Sequence, residues 1–101
     1  EKADDLDFAV AFARIECHYF LNGIFLEEGY ILNNAPQIAH IPCVIVQGRY
    51  DVVCPARSAW ELHKVLPLSR LRIIADAGHS MGEFGIAKEL ILATDEARQH
   101  P

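Results

Sequence analysis

Two residues of this 101-residue sequence have the type and placement to move a proton together, Asp51 and His79. Each stands in a loop that follows a short β-rich run. The loop from Gly48 to Pro55 follows Cys43-Val44-Ile45-Val46-Gln47, and the loop from Asp76 to Glu83 follows Leu71-Arg72-Ile73-Ile74-Ala75. In sheets of parallel strands, functional groups collect in the loops that leave the carboxyl ends. Neighbouring parallel strands therefore bring Asp51 and His79 to one edge of the sheet. A carboxylate there accepts from one imidazole nitrogen, fixes the tautomer, and stabilises the imidazolium formed when the other nitrogen takes a proton. The bland alternative is that Asp51 caps its own turn and His79 is an ordinary loop histidine, which describes most single Asp and His residues. Two such residues, each directly after a strand and one crossover apart, favour the chemical reading.

A proton-moving pair of this kind serves a nucleophile. The string Gly78-His79-Ser80-Met81-Gly82 matches G-x-S-x-G, the nucleophile elbow, and sits between a strand and a helix. On that reading Ser80 is the nucleophile. The order of residues argues against it: this type of triad runs serine, acid, histidine, and the only histidine after Ser80 is His100, beside the terminal Pro101. The elbow also needs small residues after its last glycine, where this sequence has Glu83 and Phe84. Neither Ser58 nor Ser69 stands in an elbow context. His79 is the better candidate, and the nucleophile is expected outside this sequence.

The elements that must position the pair are legible from pattern. Asp4 and Asp5 are plausible N-caps for an apolar helix that runs from Leu6 through Tyr19 and Phe20 to a stop at Asn22-Gly23. A second short helix or turn is expected over Ile24 to Leu32, broken by Asn33-Asn34-Ala35-Pro36. The run Cys43–Gln47, closed by Gly48, reads as a buried strand. Ser58 to Leu66 reads as a helix with Ala59, Leu62, Val65 and Leu66 on one face, ended by Pro67. Leu71 to Ala75 is the second strand, and a helix from about Phe84 to Ala97 carries Ile86, Leu90 and Ala93 on one stripe. The order strand, helix, strand, helix implies two parallel strands joined by a crossover, an α/β arrangement. Two strands alone cannot cover both faces of a sheet, so further structure is expected to complete it. Tyr19, Phe20 and Trp60 read as core residues rather than pocket wall.

Composition narrows the class. Hydrophobic residues make up 51%, which is globular material, and the formal net charge is -5 with no basic run. That argues against nucleic acid or an anionic membrane as the main partner. No apolar run reaches the roughly 18 residues of a membrane span. The three cysteines, Cys17, Cys43 and Cys54, are odd in number and form no C-x-x-C pair, which fits a reducing, cytoplasmic setting without disulfides or zinc. His18, His40 and His63 show no metal-ligand spacing. No metal and no cofactor is expected.

A resemblance sharpens the reading. The segment Ile41 to Pro55, with Gly48-Arg49-Tyr50-Asp51-Val52-Val53-Cys54-Pro55 its most specific part, resembles the acid-strand segment of the proline iminopeptidases, members of the α/β-hydrolase superfamily. Asp76-Ala77-Gly78-His79-Ser80 resembles their histidine turn, and the 28 residues between Asp51 and His79 suit that family. Ser58-Ala59-Trp60-Glu61-Leu62-His63 resembles their crossover helix, and Ala13 to Phe20 the end of their helical cap. The likeness runs from about Phe8 to Ala97. The sequence departs from the family at Phe84, where relatives commonly carry Pro, and at Cys17, where they commonly carry Asn.

The resemblance implies the C-terminal portion of an α/β-hydrolase fold, with residues 1–34 ending a helical cap and residues 35–101 forming the last part of the core. It implies a serine aminopeptidase that releases N-terminal proline from peptides, with Asp51 and His79 as triad acid and base and the serine supplied by the remainder of the hydrolase domain. Glu16 is implied as a cap carboxylate that binds the substrate's free amino group; a buried ammonium needs a charged partner of this kind. The plainer reading of Glu16 is a solvated helix position or an i,i+4 partner. Cys54 is implied to sit near the substrate pocket, against the alternative of a small buried apolar residue. Two rivals stand beside this expectation: another capped hydrolase, such as an esterase or epoxide hydrolase, and a truncated hydrolase remnant without catalysis.

Overall fold

Asp5 begins the first helix. Its carboxylate accepts the backbone amides of Asp7 at 2.9 Å and Phe8 at 3.3 Å, satisfying donors that a helix start leaves unpaired. The computed structural model describes residues 5–100, so Asp4, the other expected cap, lies outside the described residues. Helix α1 spans Leu6–Leu21 and ends where Asn22 turns its side-chain amide back to the carbonyl of His18 at 2.8 Å. Gly23, Ile24 and Phe25 then adopt φ of 59°, 59° and 61°. Left-handed backbone suits Gly23, but at Ile24 and Phe25 it costs roughly 1–2 kcal/mol each. The turn brings the Phe25 ring to 5.4 Å from Tyr19 and 5.5 Å from His18.

The residues up to Tyr30 form one compact unit and those from Ile31 onward another. In the first unit every described side chain of α1 is exposed, Tyr19 and Phe20 included. The expectation that Tyr19 and Phe20 belong to a core is therefore not met. Their apolar character presupposes a covering surface, and the described residues of this unit bury none of α1. The single short element expected over Ile24 to Leu32 resolves into two pieces, the Gly23–Phe25 turn and helix α2 at Tyr30–Asn34, because Gly29 takes a positive φ of 72° between them.

The second unit holds the sheet. A 3₁₀ turn at Ala35–Ile38 leads to strand β1 (Cys43–Gly48), helix α3 (Ala56–Val65), strand β2 (Ser69–Ile74) and helix α4 (Phe84–Gln99). The strands are parallel, as their order predicts, in a register that pairs Cys43 with Ser69 and Gly48 with Ile74. Among the described residues the sheet has these two strands only. Strand β1 is accordingly half-buried along most of its length, with Gln47 and Gly48 buried at its end, rather than buried throughout. Among the described residues the buried apolar set is small: Ala35, Ala59, Leu66, Ala77 and Ile86.

Helix α3 turns Ala59 inward while Trp60, expected in the core, is 51% exposed. Neighbouring positions on a helix are about 100° apart, so burying Ala59 against the sheet swings Trp60 aside. Helix α4 is held to β2 by charge as well as packing. Arg72 reaches Glu89 at 2.9 Å and Glu96 at 3.1 Å, and Arg70 reaches Glu96 at 2.9 Å. The hydrogen bond from Arg72 keeps the Glu96 carboxyl below its ordinary range. Gly85, in the first turn of α4, lies so close to Ile74 that an added Cβ would stand 2.6 Å from its methyl. Among the described residues, no helix is long and apolar enough to cross a membrane.

Candidate active site

The end of β1 is where the chain can come closest to its neighbour. A side chain at Gly48 would collide with the carbonyl oxygen of Gly78 and stand 2.8 Å from that of Ala77. Hydrogen therefore occupies the one place where the two strand-end loops meet backbone to backbone. The parallel ladder continues past the strands through this contact: Arg49 donates to the Ile74 carbonyl at 3.0 Å and Tyr50 to the Ala77 carbonyl at 2.9 Å.

Beyond that point Asp51 organises its own loop. Its Oδ1 accepts the amides of Val53 at 3.0 Å and Cys54 at 2.8 Å, an Asx-type turn that fixes the carboxylate. The loop is braced from beneath by Gln47, whose buried amide donates to the carbonyls of Cys54 at 2.8 Å and Gly48 at 3.1 Å. The same carboxylate meets the imidazole of His79, with Nδ1 at 3.1 Å from Oδ1 and 3.0 Å from Oδ2. The capping role weighed as the bland alternative and the pairing with His79 are thus both present in one side chain.

The two partners sit in different environments. The Asp51 side chain is 8% exposed and that of His79 is 54% exposed. The Asp51 carboxyl is held below its ordinary pKa, first by the Cys54 amide and then, against the opposing cost of desolvation, by the hydrogen bond and charge of His79 and the Val53 amide. It is an anion at neutral pH. An anion on Nδ1 holds the proton on that nitrogen and leaves Nε2 as the acceptor, so the pair is arranged to take a proton from a group approaching the open side of the ring.

His79 is carried by a turn that is held at both ends. Gly78 donates its amide to both carboxylate oxygens of Glu83, at 2.9 and 3.1 Å. Ser80, the centre of the elbow-like string, spends its hydroxyl oxygen on the Gly82 amide at 3.1 Å. Among the described residues the non-glycine positions with positive φ are Ile24 and Phe25, so Ser80 lacks the strained left-handed backbone that presents an elbow nucleophile.

Of the remaining sequence candidates, Cys54 lies in the acid loop and contributes its backbone to both Asp51 and Gln47. It is exposed, not the small buried apolar residue of the alternative reading. Glu16 belongs to the other compact unit, exposed on α1 among Phe12, Ile15, Tyr19 and Phe20, which line a shallow apolar groove with it. Its exposure is that of the solvated helix position weighed as the plainer reading. Gln47 and Glu83 were not singled out by sequence reasoning. The one available signal was position, since both flank the loops that carry the pair. Among the described residues no group of three or more His, Cys, Asp or Glu side chains is placed to hold a metal ion.

No family model matches the chain. It is 65% identical over 94 residues to a probable proline iminopeptidase of Leptolyngbya boryana, an alignment that covers 92% of this chain and 29% of that protein. It is 52% identical over 99 residues to the proline iminopeptidase of Arabidopsis thaliana, covering 97% of the chain and 26% of that protein. A proline iminopeptidase of Xylella fastidiosa is 57% identical over 89 residues, which is 87% of the chain and 28% of that protein. The chain thus spans less than a third of the length of these curated relatives, and its resemblance to the proline iminopeptidases holds over nearly all of what is present.

Proposed function

We propose that this chain supplies the acid and the base of a serine aminopeptidase that removes N-terminal proline from peptides. The observation that carries the reading is the contact between Asp51 and the Nδ1 of His79 across adjoining parallel strand ends. The relatives' names supply the substrate class. In this reading residues 35–101 are the last part of an α/β-hydrolase core and residues 1–34 the end of its helical cap. The remainder of the hydrolase domain brings the nucleophilic serine and the oxyanion donors. The half-buried sheet, which has two strands among the described residues, supports a domain completed by further chain. Three unpaired cysteines support a reducing, cytoplasmic setting.

The chemistry is acyl transfer without a cofactor. The serine oxygen attacks the carbonyl carbon of the N-terminal proline as His79 Nε2 takes the hydroxyl proton. His79 then gives that proton to the departing peptide nitrogen, leaving a prolyl ester. Water attacks the ester, His79 accepts its proton, and returning that proton to the serine oxygen releases proline. Asp51 stays ionised throughout, orienting the ring and stabilising the imidazolium. Glu16 meets the substrate's charged amine, and Cys54, at the rim of the acid loop, lies against the substrate pocket.

The experiment uses the full-length protein that contains this chain, assayed on a prolyl amide and on a simple ester. Asp51→Asn is expected to lower kcat on both substrates by about 10⁴-fold, the scale for losing the acid of a triad. Glu16→Gln is expected to lower prolyl-amide turnover sharply while sparing the ester. Esterase activity without prolyl-amide activity in the unaltered protein would place it instead with the other capped hydrolases. Asp51→Asn with unaltered turnover would remove the reading altogether.

A further inference from the structure

The last peptide bond before the segment Gly78-His79 is clasped from both sides. The carbonyl of Ala77 accepts from the Tyr50 amide at 2.9 Å, and the Gly78 amide of the same peptide unit donates to the carboxylate of Glu83. Ala77 is 2% exposed, so this peptide lies where unmet hydrogen bonds are costly. One clasp comes from the acid loop and the other from the residue at which α4 begins. Glu83 caps α4 with its main chain, accepting from Ala87 at 2.9 Å, while its side chain turns back to Gly78 and makes no side-chain capping bond. A glycine at 78 has no side chain of its own to restrict the turn, so the orientation of that peptide depends on its two partners.

From this arrangement we infer that Glu83 is a positioning residue for His79. It acts through the Ala77–Gly78 peptide and sets where the imidazole meets Asp51. The inference rests on the proposed role of His79 but not on the choice of substrate. A carboxylate bond to a backbone amide is charge-assisted and about twice as strong as a neutral one, which suits a single side chain holding a turn. Its reach matters as much as its charge. The Glu83 carboxylate spans from the helix start to Gly78, and a side chain one methylene shorter stops short of it.

The test therefore compares three variants of the full-length protein, Glu83→Gln, Glu83→Asp and Glu83→Ala. Kinetics on the prolyl amide and the ester are joined by thermal midpoints and the low-field Nδ1 proton resonance of His79. A purely structural, helix-capping role predicts that Asp, a better N-cap than Glu, matches or exceeds the parent in every readout. Positioning predicts a different ranking. Glu83→Gln keeps the reach and most of kcat. Glu83→Asp and Glu83→Ala lose about 10- to 100-fold in kcat with KM little changed, the scale expected for small misplacements of a catalytic group. The Nδ1 proton signal shifts or broadens in those two variants and not in Gln, while Glu83→Asp retains its thermal midpoint. Wild-type kcat and an unshifted Nδ1 proton in Glu83→Asp overturn the inference, as does a loss of kcat that tracks the thermal midpoint across the series. If the parent cleaves the ester but not the prolyl amide, the aminopeptidase reading fails and Glu83 is judged on the ester. If it cleaves neither, the Nδ1 proton decides alone.

Discussion

The strand-end edge of the second unit and helix α1 of the first are built by opposite means. At the edge, Gly48, Gln47, Asp51, His79 and Glu83 interlock within a few ångströms through hydrogen bonds that begin and end inside the unit. Helix α1 is rich in Phe, Ala and Leu, yet no described residue of it is buried, and its own support includes the Asp5 cap, the Asn22 amide on the His18 carbonyl and the Phe25 ring against its last turn. Hydrogen bonds between close loops are complete once two strands are in register. An apolar face gains its stabilisation, about 25 cal/mol per Å², only when something covers it. The geometry of the Asp51–His79 pair is thus specified locally, and the energy of the first helix is not.

The comparison is broken most severely at Gly48. Gly48→Ala pushes a methyl group into the carbonyl of Gly78, and the full-length protein is expected to lose about 3 kcal/mol of stability, at the upper end of overpacking costs. Activity is expected to fall with it, because the loops that carry Asp51 and His79 are driven apart. Chemical denaturation and kcat measure the two effects, and an unaltered denaturation midpoint would show that the close approach is dispensable.

A milder change probes the other region. Asp5→Ala removes the cap of α1 and is expected to cost about 1 kcal/mol while leaving kcat unaltered. A fall in kcat larger than the fall in stability would show that the start of α1 communicates with the chemistry, erasing the contrast between the two regions.

The smallest effect sharpens the contrast by pH. The folded-state pKa of Asp51 lies below its ordinary 3.8, so the unfolded chain binds that proton first as pH falls. The stability gained from the Asp51 anion is complete above the ordinary carboxylate range and disappears as pH falls through the depressed folded value. The stability gap between the parent and Asp51→Asn is therefore expected to stay level near neutrality and to close on the acid side. A gap that closed between neutrality and the ordinary carboxylate range would contradict the carboxylate's anchoring by Cys54 and His79.

What the sequence disclosed and what it hid follow the same division. The strands were legible because Cys43–Gln47 and Leu71–Ala75 are short β-branched runs closed by turn residues, and with them came the loops of Asp51 and His79. Outside the stretch from Ile24 to Leu32, the observed strands and helices begin and end within about two residues of the expected bounds, the usual uncertainty of element ends. Trp60, Tyr19 and Phe20 read as core yet are exposed, because hydrophobicity reports what a side chain favours, not whether a covering surface lies in the same chain. Gln47, Glu83 and the Arg72–Glu96 pair stayed hidden for a different reason. Their partners are fixed by the meeting of distant segments, and no local period or spacing encodes that.

One consequence of the unequal exposure within the Asp51–His79 pair concerns traffic from outside. Solvent and small electrophiles arriving at this edge encounter the imidazole, while the carboxylate behind it is screened by its own loop amides. Within the pair, a reagent would reach the ring before the acid, while the exposed Cys54 thiol of the same loop stands as a competing target for alkylation. Any cover that silences the pair needs to shade only the imidazole, since the acid behind it is already shaded.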